Sequence, residues 1–482
     1  MKNKRGHLSF RFFLSIISGV LFVFSFPPFD IWQLAFLSFI PLLIVAKEND
    51  GKNFFFGVTA GFLSYSISFS WLYRLAGPVY LLLALYLSLY WGIFLYLVFA
   101  LPERGRIFTA GAVWFLLEII VSHLLTGLPW ILSGLSQWKN PYLIKLAGLT
   151  GIYGLSFLVI SGNFTIFYSF RKRYLASWII SLFLFATVIF LPISAFSSLH
   201  NYGEPLKVMV VQPNIDTLKR NPVKDIEKVK ALTLEYIRKE KVDIIIWPEG
   251  IYPDIITSDI IDDLKKFTLQ FNAGLILGTF TEQDKGIYNS AILIEGERIQ
   301  IYNKTHLVPY GEFIPGGRMK AISRIFERMA GYIPHLKKGN ELAPLSFRDK
   351  RIGALICFEN IFPDITTTLT EKEADLFIVI TNDGWSGNSA GPYQHFAHNS
   401  IRAVETGRYF IQSSLTGISG VVSPNGTVED IVNSDGNHLF VEGVIVYNVP
   451  MMKGKTFYSS SGDIPLFILS VLMTGVAICK KI

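Results

Sequence analysis

Long apolar runs constrain this chain more than any other feature. About seven precede residue 200, near 9–26, 31–46, 54–73, 79–101, 107–125, 142–169 and 174–197, and an eighth covers 464–479. Helical runs of roughly 17–25 apolar residues match the hydrocarbon thickness of a bilayer, and only helices or closed barrels satisfy the backbone there. The expectation is a multi-span α-helical membrane bundle with about eight transmembrane helices. The basic start, Met1-Lys2-Asn3-Lys4-Arg5, could open a signal peptide, but no small-residue cleavage site follows, so the first run reads as an uncleaved anchor. Between the apolar parts, residues 201–460 have ordinary globular polarity, which divides the chain into 1–200, 201–460 and a final helix with tail, 461–482.

Charge orients the bundle. Lys2, Lys4, Arg5, Arg11, Lys47, Lys52, Arg104, Arg106, Arg171, Lys172, Arg173, Lys480 and Lys481 fall on one side, and the other side's short loops carry little beyond Arg74 and Lys139. The positive-inside rule then puts both termini in the cytoplasm and the 201–460 domain outside. It also accounts for the net charge of +7 without nucleic acid, since no basic stripe with interleaved aromatics occurs in the polar domain.

In 201–460, apolar strands alternate with amphipathic helices. Strands are expected at 206–212, 243–247, 274–280, 289–295, 298–303, 351–357, 375–381, 408–414, 417–423 and 439–447, and helices at 222–240, 257–271, 318–330 and 392–406. That alternation predicts an α/β layered domain with helices covering its sheets. The 318–330 stretch is basic and amphipathic, which suits an interfacial helix or lid, or a helix packed on its own domain.

Three strand ends carry chemistry. Ile246-Trp247-Pro248-Glu249 delivers a carboxylate, Ile301-Tyr302-Asn303-Lys304 an ammonium, and Leu355-Ile356-Cys357 a thiol. A thiol that attacks a carbonyl needs a proton acceptor and a group facing the oxyanion; Glu249 suits the first, and Lys304 with the Phe358 N–H suits the second. No histidine is required beside the cysteine. Cys357 and Cys479 are the two cysteines, too differently placed to pair, and an unpaired thiol in an exported domain points to use. Glu118, inside an apolar run, reads as a functional carboxylate or as a hydrogen-bond partner within the bundle.

The motifs Trp247-Pro248-Glu249, Tyr302-Asn303-Lys304 through Gly311-Glu312, and Ile356-Cys357-Phe358-Glu359 resemble the Glu-Lys-Cys motifs of the nitrilase superfamily. With Thr381-Asn382-Asp383-Gly384-Trp385, Gly391-Pro392-Tyr393-Gln394-His395-Phe396, Arg402 to Arg408, Thr416-Gly417-Ile418-Ser419 and the Gly127-Leu128-Pro129-Trp130 loop, nearly the whole chain resembles the apolipoprotein N-acyltransferase family. The resemblance implies a nitrilase-like αββα sandwich in a multi-pass protein of the bacterial inner membrane, its catalytic domain periplasmic. It implies that Cys357 takes an acyl chain from a phospholipid, usually phosphatidylethanolamine, and passes it to the α-amine of a diacylglyceryl-cysteine apolipoprotein. Glu249 would be general base, Lys304 oxyanion stabiliser and Cys357 nucleophile, with Glu312 and Glu359 supporting. Phe358, Trp385, Trp130 and Tyr310 would contact substrate, and no metal or cofactor is called for. Two positions depart from the family: Phe358 stands where many members have Tyr, and Arg220 where a Trp is frequent.

Two other readings use the same residues. A membrane-tethered amidase would pass the acyl-enzyme to water, though eight spans are superfluous for a water-soluble substrate. A transporter or scaffold would bind ligands without chemistry, but the spans lack the charged pairs and repeated broken helices of that class.

Overall fold

The computed structural model describes residues 2–172, 199–217, 219–283, 286–314 and 335–480. The chain divides into two compact units, one of 1–197, 389–405 and 456–482, the other of 198–388 and 406–455.

The first unit is helical: α1 Lys2–Phe24, α2 Ile40–Val45, α3 Lys52–Ser68, α4 Tyr73–Ala76, α5 Tyr80–Ala100, α6 Arg106–His123 and α7 Ala147–Lys172. Among the described residues, three helical stretches are long and apolar enough to cross a membrane, Ser70–Ala100, Arg106–His123 and Leu143–Arg171. Leu8–Phe24, Trp32–Val45 and Ile464–Cys479 are apolar but shorter. The expected run at 31–46 is not one helix: a 3₁₀ turn, Trp32–Phe36, precedes α2, which has Pro41 in its first turn. The expected span at 174–197 lies outside the described residues, as does the helix at 318–330. Small residues set the spacing of α3 and α5: a Cβ on Gly57 would lie 2.4 Å from the Trp91 carbonyl, so the two helices touch backbone to backbone. At one end Arg106 is bidentate to Glu48, at 2.6 and 2.7 Å. Such a planar fork suits a helix start that would otherwise bury a bare guanidinium.

The second unit holds two large sheets. One runs β14-β2-β3-β5-β6-β7, with β4 paired to β5; the other runs β13-β12-β11-β10-β9-β8; β1 and β15 form a small ribbon. The strands are β1 His200–Asn201, β2 Leu206–Gln212, β3 Ile244–Ile246, β4 Tyr252–Ile255, β5 Gly274–Gln283, β6 Gly286–Glu295, β7 Arg298–Asn303, β8 Leu345–Phe347, β9 Lys350–Ile356, β10 Leu376–Thr381, β11 Phe410–Ser414, β12 Gly420–Val422, β13 Val428–Ile431, β14 Gly443–Val449 and β15 Met452–Lys453. β10 is parallel to both β9 and β11 and buried along its whole length, which explains its unbroken apolar sequence. The sheets face each other: buried Ser413 on β11 donates to the Val211 carbonyl of β2 at 2.9 Å.

Helices α8 Pro222–Ile237 and α9 Ser258–Phe271 lie over the first sheet. Asn221 caps α8 by accepting from the Lys224 N–H, with Pro222 at the first position. Leu264 and Phe267 face the sheet from α9, burial that stabilises by about 1.5–3 kcal/mol per side chain. Asn272 ends α9 in the left-handed conformation, φ 49°. A helix not anticipated from sequence, α10 Pro363–Glu371, is rich in threonine, a weak helix signal. The strands β1, β4, β8, β13 and β15 were likewise not anticipated; all are two to four residues long, too short for a period-2 pattern. The remaining helices, α11 Ala390–Thr406, α12 Phe457–Ser461 and α13 Ile464–Cys479, group with the helical unit apart from Thr406.

Candidate active site

Three turns of the second unit converge. The turn after β3 is pinned to β5, since Trp247 N–H donates to Ile276 O at 2.8 Å and Gly278 N–H to Pro248 O at 3.2 Å. Gly278 permits this closeness: a Cβ there would lie 2.5 Å from the Glu249 Cα. The turn after β7 is held through Lys304, whose N–H donates to Asn289 O and whose carbonyl accepts from Gly339 N–H, both at 2.8 Å. The turn after β9 starts with Cys357, which has φ 50°, and continues as a 3₁₀ turn, Cys357–Ile361. A non-glycine residue in the left-handed region at a strand end is a strained conformation of the kind that concentrates at functional sites.

The charged groups form one buried network. Lys304, with a fully buried side chain, donates to Glu312 Oε1 at 2.9 Å and lies 3.9 Å from Glu249 Oε1. Asn289 Nδ2 donates to both carboxylates, to Glu249 Oε1 at 2.7 Å and Glu312 Oε1 at 2.8 Å. Glu249 Oε2 accepts from the Asn382 N–H at 2.9 Å, and Glu312 Oε2 from the Val308 N–H at 2.8 Å. Each carboxylate is thus fixed at both oxygens, and neither is free to rotate.

Glu359 has a different position. Its Oε1 accepts from Tyr302 Oη, Thr305 N–H, Thr305 Oγ1 and His306 N–H at 2.7–3.1 Å, and its Oε2 from the Ile356 N–H at 2.9 Å. It splints the backbone of the Lys304 turn to that of the Cys357 turn.

Burial sets the proton affinities. It pushes the Cys357 thiol well above its ordinary range, the Glu249 charge adds to this, and Lys304 opposes it. Burial also raises Glu249, against the pull of Lys304 and with the push of Glu312. For Lys304, burial favours the neutral amine, but Glu312, Glu249 and Cys357 outweigh it and hold the ammonium above the usual lysine value. Burial raises Glu359 as well, opposed first by its hydrogen bond from Ile356. The arrangement is a resting thiol that feels the charges of a carboxylate with enhanced basicity and of a persistent cation.

The other sequence candidates are distributed. Phe358 is buried in an aromatic group with His306 and Phe362, ring centroids 5.8 and 5.1 Å away. Trp385 lies in the short turn after β10, Gly384–Ser386. Tyr310 is exposed, with φ 64° and its N–H on the Phe313 carbonyl at 2.7 Å. Trp130 belongs to the helical unit, where its indole N–H donates to Gln394 Oε1 at 3.0 Å. Arg220 pairs with Asp225 at 2.7 Å and donates to the Gly250 carbonyl at 2.6 Å, bracing the Glu249 turn from outside. Sequence reasoning missed Asn289; the signal available was a buried Asn-Ser pair interrupting the apolar run of β6.

Residues 18–165 match the family model described as apolipoprotein N-acyltransferase N-terminal domain, and residues 207–451 match carbon-nitrogen hydrolase. The apolipoprotein N-acyltransferase of Geobacter metallireducens is 30% identical over 486 residues, covering 94% of this chain and 92% of that one. The protein of the same name from Haemophilus influenzae is 30% identical over 507 residues, covering 96% and 93%. Among solved structures, Saccharomyces cerevisiae Nit3 of the nitrilase superfamily aligns at 17% identity and a TM-score of 0.40, over 55% of this chain and 96% of that chain.

Proposed function

The chain belongs to the apolipoprotein N-acyltransferase family, and on that premise we propose that it moves an acyl chain from a phospholipid to a lipoprotein amine through a thioester on Cys357. The observation that carries this reading is the buried network in which Lys304 lies 2.9 Å from Glu312 and 3.9 Å from Glu249, at strand ends that converge with that of Cys357.

In the first half-reaction Glu249 takes the thiol proton as Cys357 Sγ attacks the ester carbonyl. The oxyanion faces the Lys304 ammonium and the Phe358 N–H. The ester C–O bond then breaks, and the lysophospholipid leaves as an alcohol with the proton returned by Glu249. In the second half-reaction a neutral α-amine attacks the thioester and Glu249 accepts the amine proton; the C–S bond breaks, Glu249 returns the proton to the Cys357 sulfur, and the amide leaves. A raised carboxylate pKa suits both transfers, because the base must pull a proton from a thiol that burial also makes less acidic. A thioester stores the acyl group while one lipid is exchanged for another, so the kinetics are ping-pong.

The donor is a phospholipid with phosphatidylethanolamine as the leading candidate, and the acceptor a diacylglyceryl-cysteine apolipoprotein. The organisation is 1–200 as bundle, 201–460 as catalytic domain and 461–482 as a last span and tail, with about eight crossings of the bacterial inner membrane and the catalytic domain periplasmic. The test is intact-mass analysis of the full chain incubated with phospholipid and no acceptor. A fatty-acyl adduct on Cys357 that moves to a lipopeptide amine is expected, and Lys304→Ala abolishes it. An adduct elsewhere, or one released only as free acid, overturns the transferase mechanism.

A further inference from the structure

The turn after β10 carries two side chains to which the mechanism above gives no task. β10 runs parallel to β9 with Ile380 opposite Ile356, so Thr381 and Cys357 leave their strands side by side. Between them in this turn, the Asn382 N–H holds Glu249. Its neighbours serve the nucleophile instead. A carboxylate oxygen of Asp383 lies within 4.8 Å of Cys357 Sγ. Thr381 is fully buried; its hydroxyl donates to Asp383 Oδ1 at 3.1 Å and also bears on the Cys357 sulfur as a hydrogen-bond donor. Both groups are held in place: the Leu415 N–H donates to the Thr381 carbonyl at 3.1 Å, and a Cβ on Gly417 would lie 2.8 Å from Asp383 Oδ2.

A second acid beside a nucleophile works against its ionisation. Burial and the charges of Glu249 and Asp383 oppose a negative sulfur, and Lys304 favours it. The Lys304 ammonium is already bound to Glu312 at 2.9 Å, so a charge formed on the buried sulfur needs a further donor. A hydroxyl has one hydrogen, and it rotates to suit its acceptors. While the sulfur is a thiol it accepts weakly, and the Asp383 carboxylate takes that hydrogen. Once Glu249 has removed the thiol proton the sulfur is a charged acceptor too, and the hydroxyl turns to it without movement of any heavy atom.

We propose that Thr381 is a catalytic residue whose hydroxyl donates to the Cys357 sulfur whenever that atom carries negative charge, and that Asp383 is a positioning residue that holds the hydroxyl in between. The sulfur is charged twice in each cycle. The first time is when Cys357 attacks the donor ester; the second is when the C–S bond breaks and the sulfur leaves with its electron pair, before Glu249 returns the proton. The thioester sulfur between these moments is a weak acceptor, so the hydroxyl goes back to Asp383. The inference rests on Cys357 as the nucleophile, but its main readout needs no lipid.

The test is alkylation of Cys357 by iodoacetamide in the full chain, in detergent, followed by intact mass at one mildly alkaline pH. The exposed Cys479 is replaced by Ser throughout, so the rate tracks the thiolate at Cys357 alone. Thr381→Val keeps the shape and removes the donor; it is expected to slow alkylation by about threefold to tenfold and acyl-adduct formation from phospholipid by about tenfold or more. Thr381→Ser restores both rates. Asp383→Asn removes a charge that opposes the thiolate and leaves the hydroxyl, so alkylation becomes faster. A Thr381→Val chain that melts with wild type and alkylates at the wild-type rate overturns the proposal, as does a Ser variant that behaves like Val. Asp383→Asn with unchanged or slower alkylation overturns it whether or not Thr381→Val folds. Altered alkylation in a chain that never forms an acyl adduct upholds the hydroxyl contact and sinks the thioester reading instead.

Discussion

Asn289 is the residue on which the charged network turns. One amide holds two carboxylates of like charge at 2.7 and 2.8 Å, and the Lys304 ammonium shares both. Hydrogen bonds to charged groups contribute about 1.5–3 kcal/mol. Asn289→Ala is therefore expected to lower kcat/KM for acyl transfer by about tenfold to a hundredfold, and wild-type turnover would remove Asn289 from the network. Glu249 leads to a pH prediction. Its pKa is raised in the folded chain, and a base must be unprotonated, so activity falls as pH drops through that raised value. Lys304 is held above the usual lysine range, so its charge persists across neutral and mildly alkaline pH. The kcat/KM profile for the phospholipid donor, which reports the first half-reaction alone, is expected to rise with an acid midpoint clearly above the ordinary Glu value of about 4.3 and then stay level through neutral pH; a midpoint at or below that value rules out Glu249 as the titrating base.

Elements bring these residues together through close backbone approach. β3 and its Trp-Pro-Glu turn can lie on β5 only because residue 278 lacks a side chain, the space being 2.5 Å from the Glu249 Cα. Gly278→Ala is expected to destabilise the catalytic domain by about 1–3 kcal/mol through overpacking and to cut activity further by displacing Glu249. A melting temperature and rate both equal to wild type would contradict that packing. The strand positions of Glu249 and Cys357 were legible because each follows an apolar run that a buried strand requires, as in Ile352 to Ile356 of β9, whereas Lys304 ends β7, an edge strand with alternating, half-exposed residues. The network partners were less legible. Asn289 and Asn382 touch Glu249 from 40 and 133 residues away, and no local spacing encodes such a meeting. Glu312 and Glu359 were visible as acids near Lys304 and Cys357, but their separate tasks, one on an ammonium and one on two turns of backbone, depend on which way each side chain points.

At the scale of the whole molecule, charge on alternate loops assigns sides before any packing is considered. We expect Asn425→Cys, in an exposed turn between β12 and β13, to react with a membrane-impermeant maleimide in intact spheroplasts, and Arg104→Cys to react only after permeabilisation. The reverse labelling would invert the orientation. The sequence by itself determined that much of the chain must seek lipid and that an α/β domain would present a carboxylate, an ammonium and a thiol at strand ends, because hydrophobic length and strand periodicity are local properties. The break in the 31–46 run was also local, since Pro41 can stand only in the first turn of α2, after a separate 3₁₀ turn. Only the tertiary structure decided the proton affinities of the site, since burial and hydrogen-bond satisfaction belong to neighbours that only folding brings close.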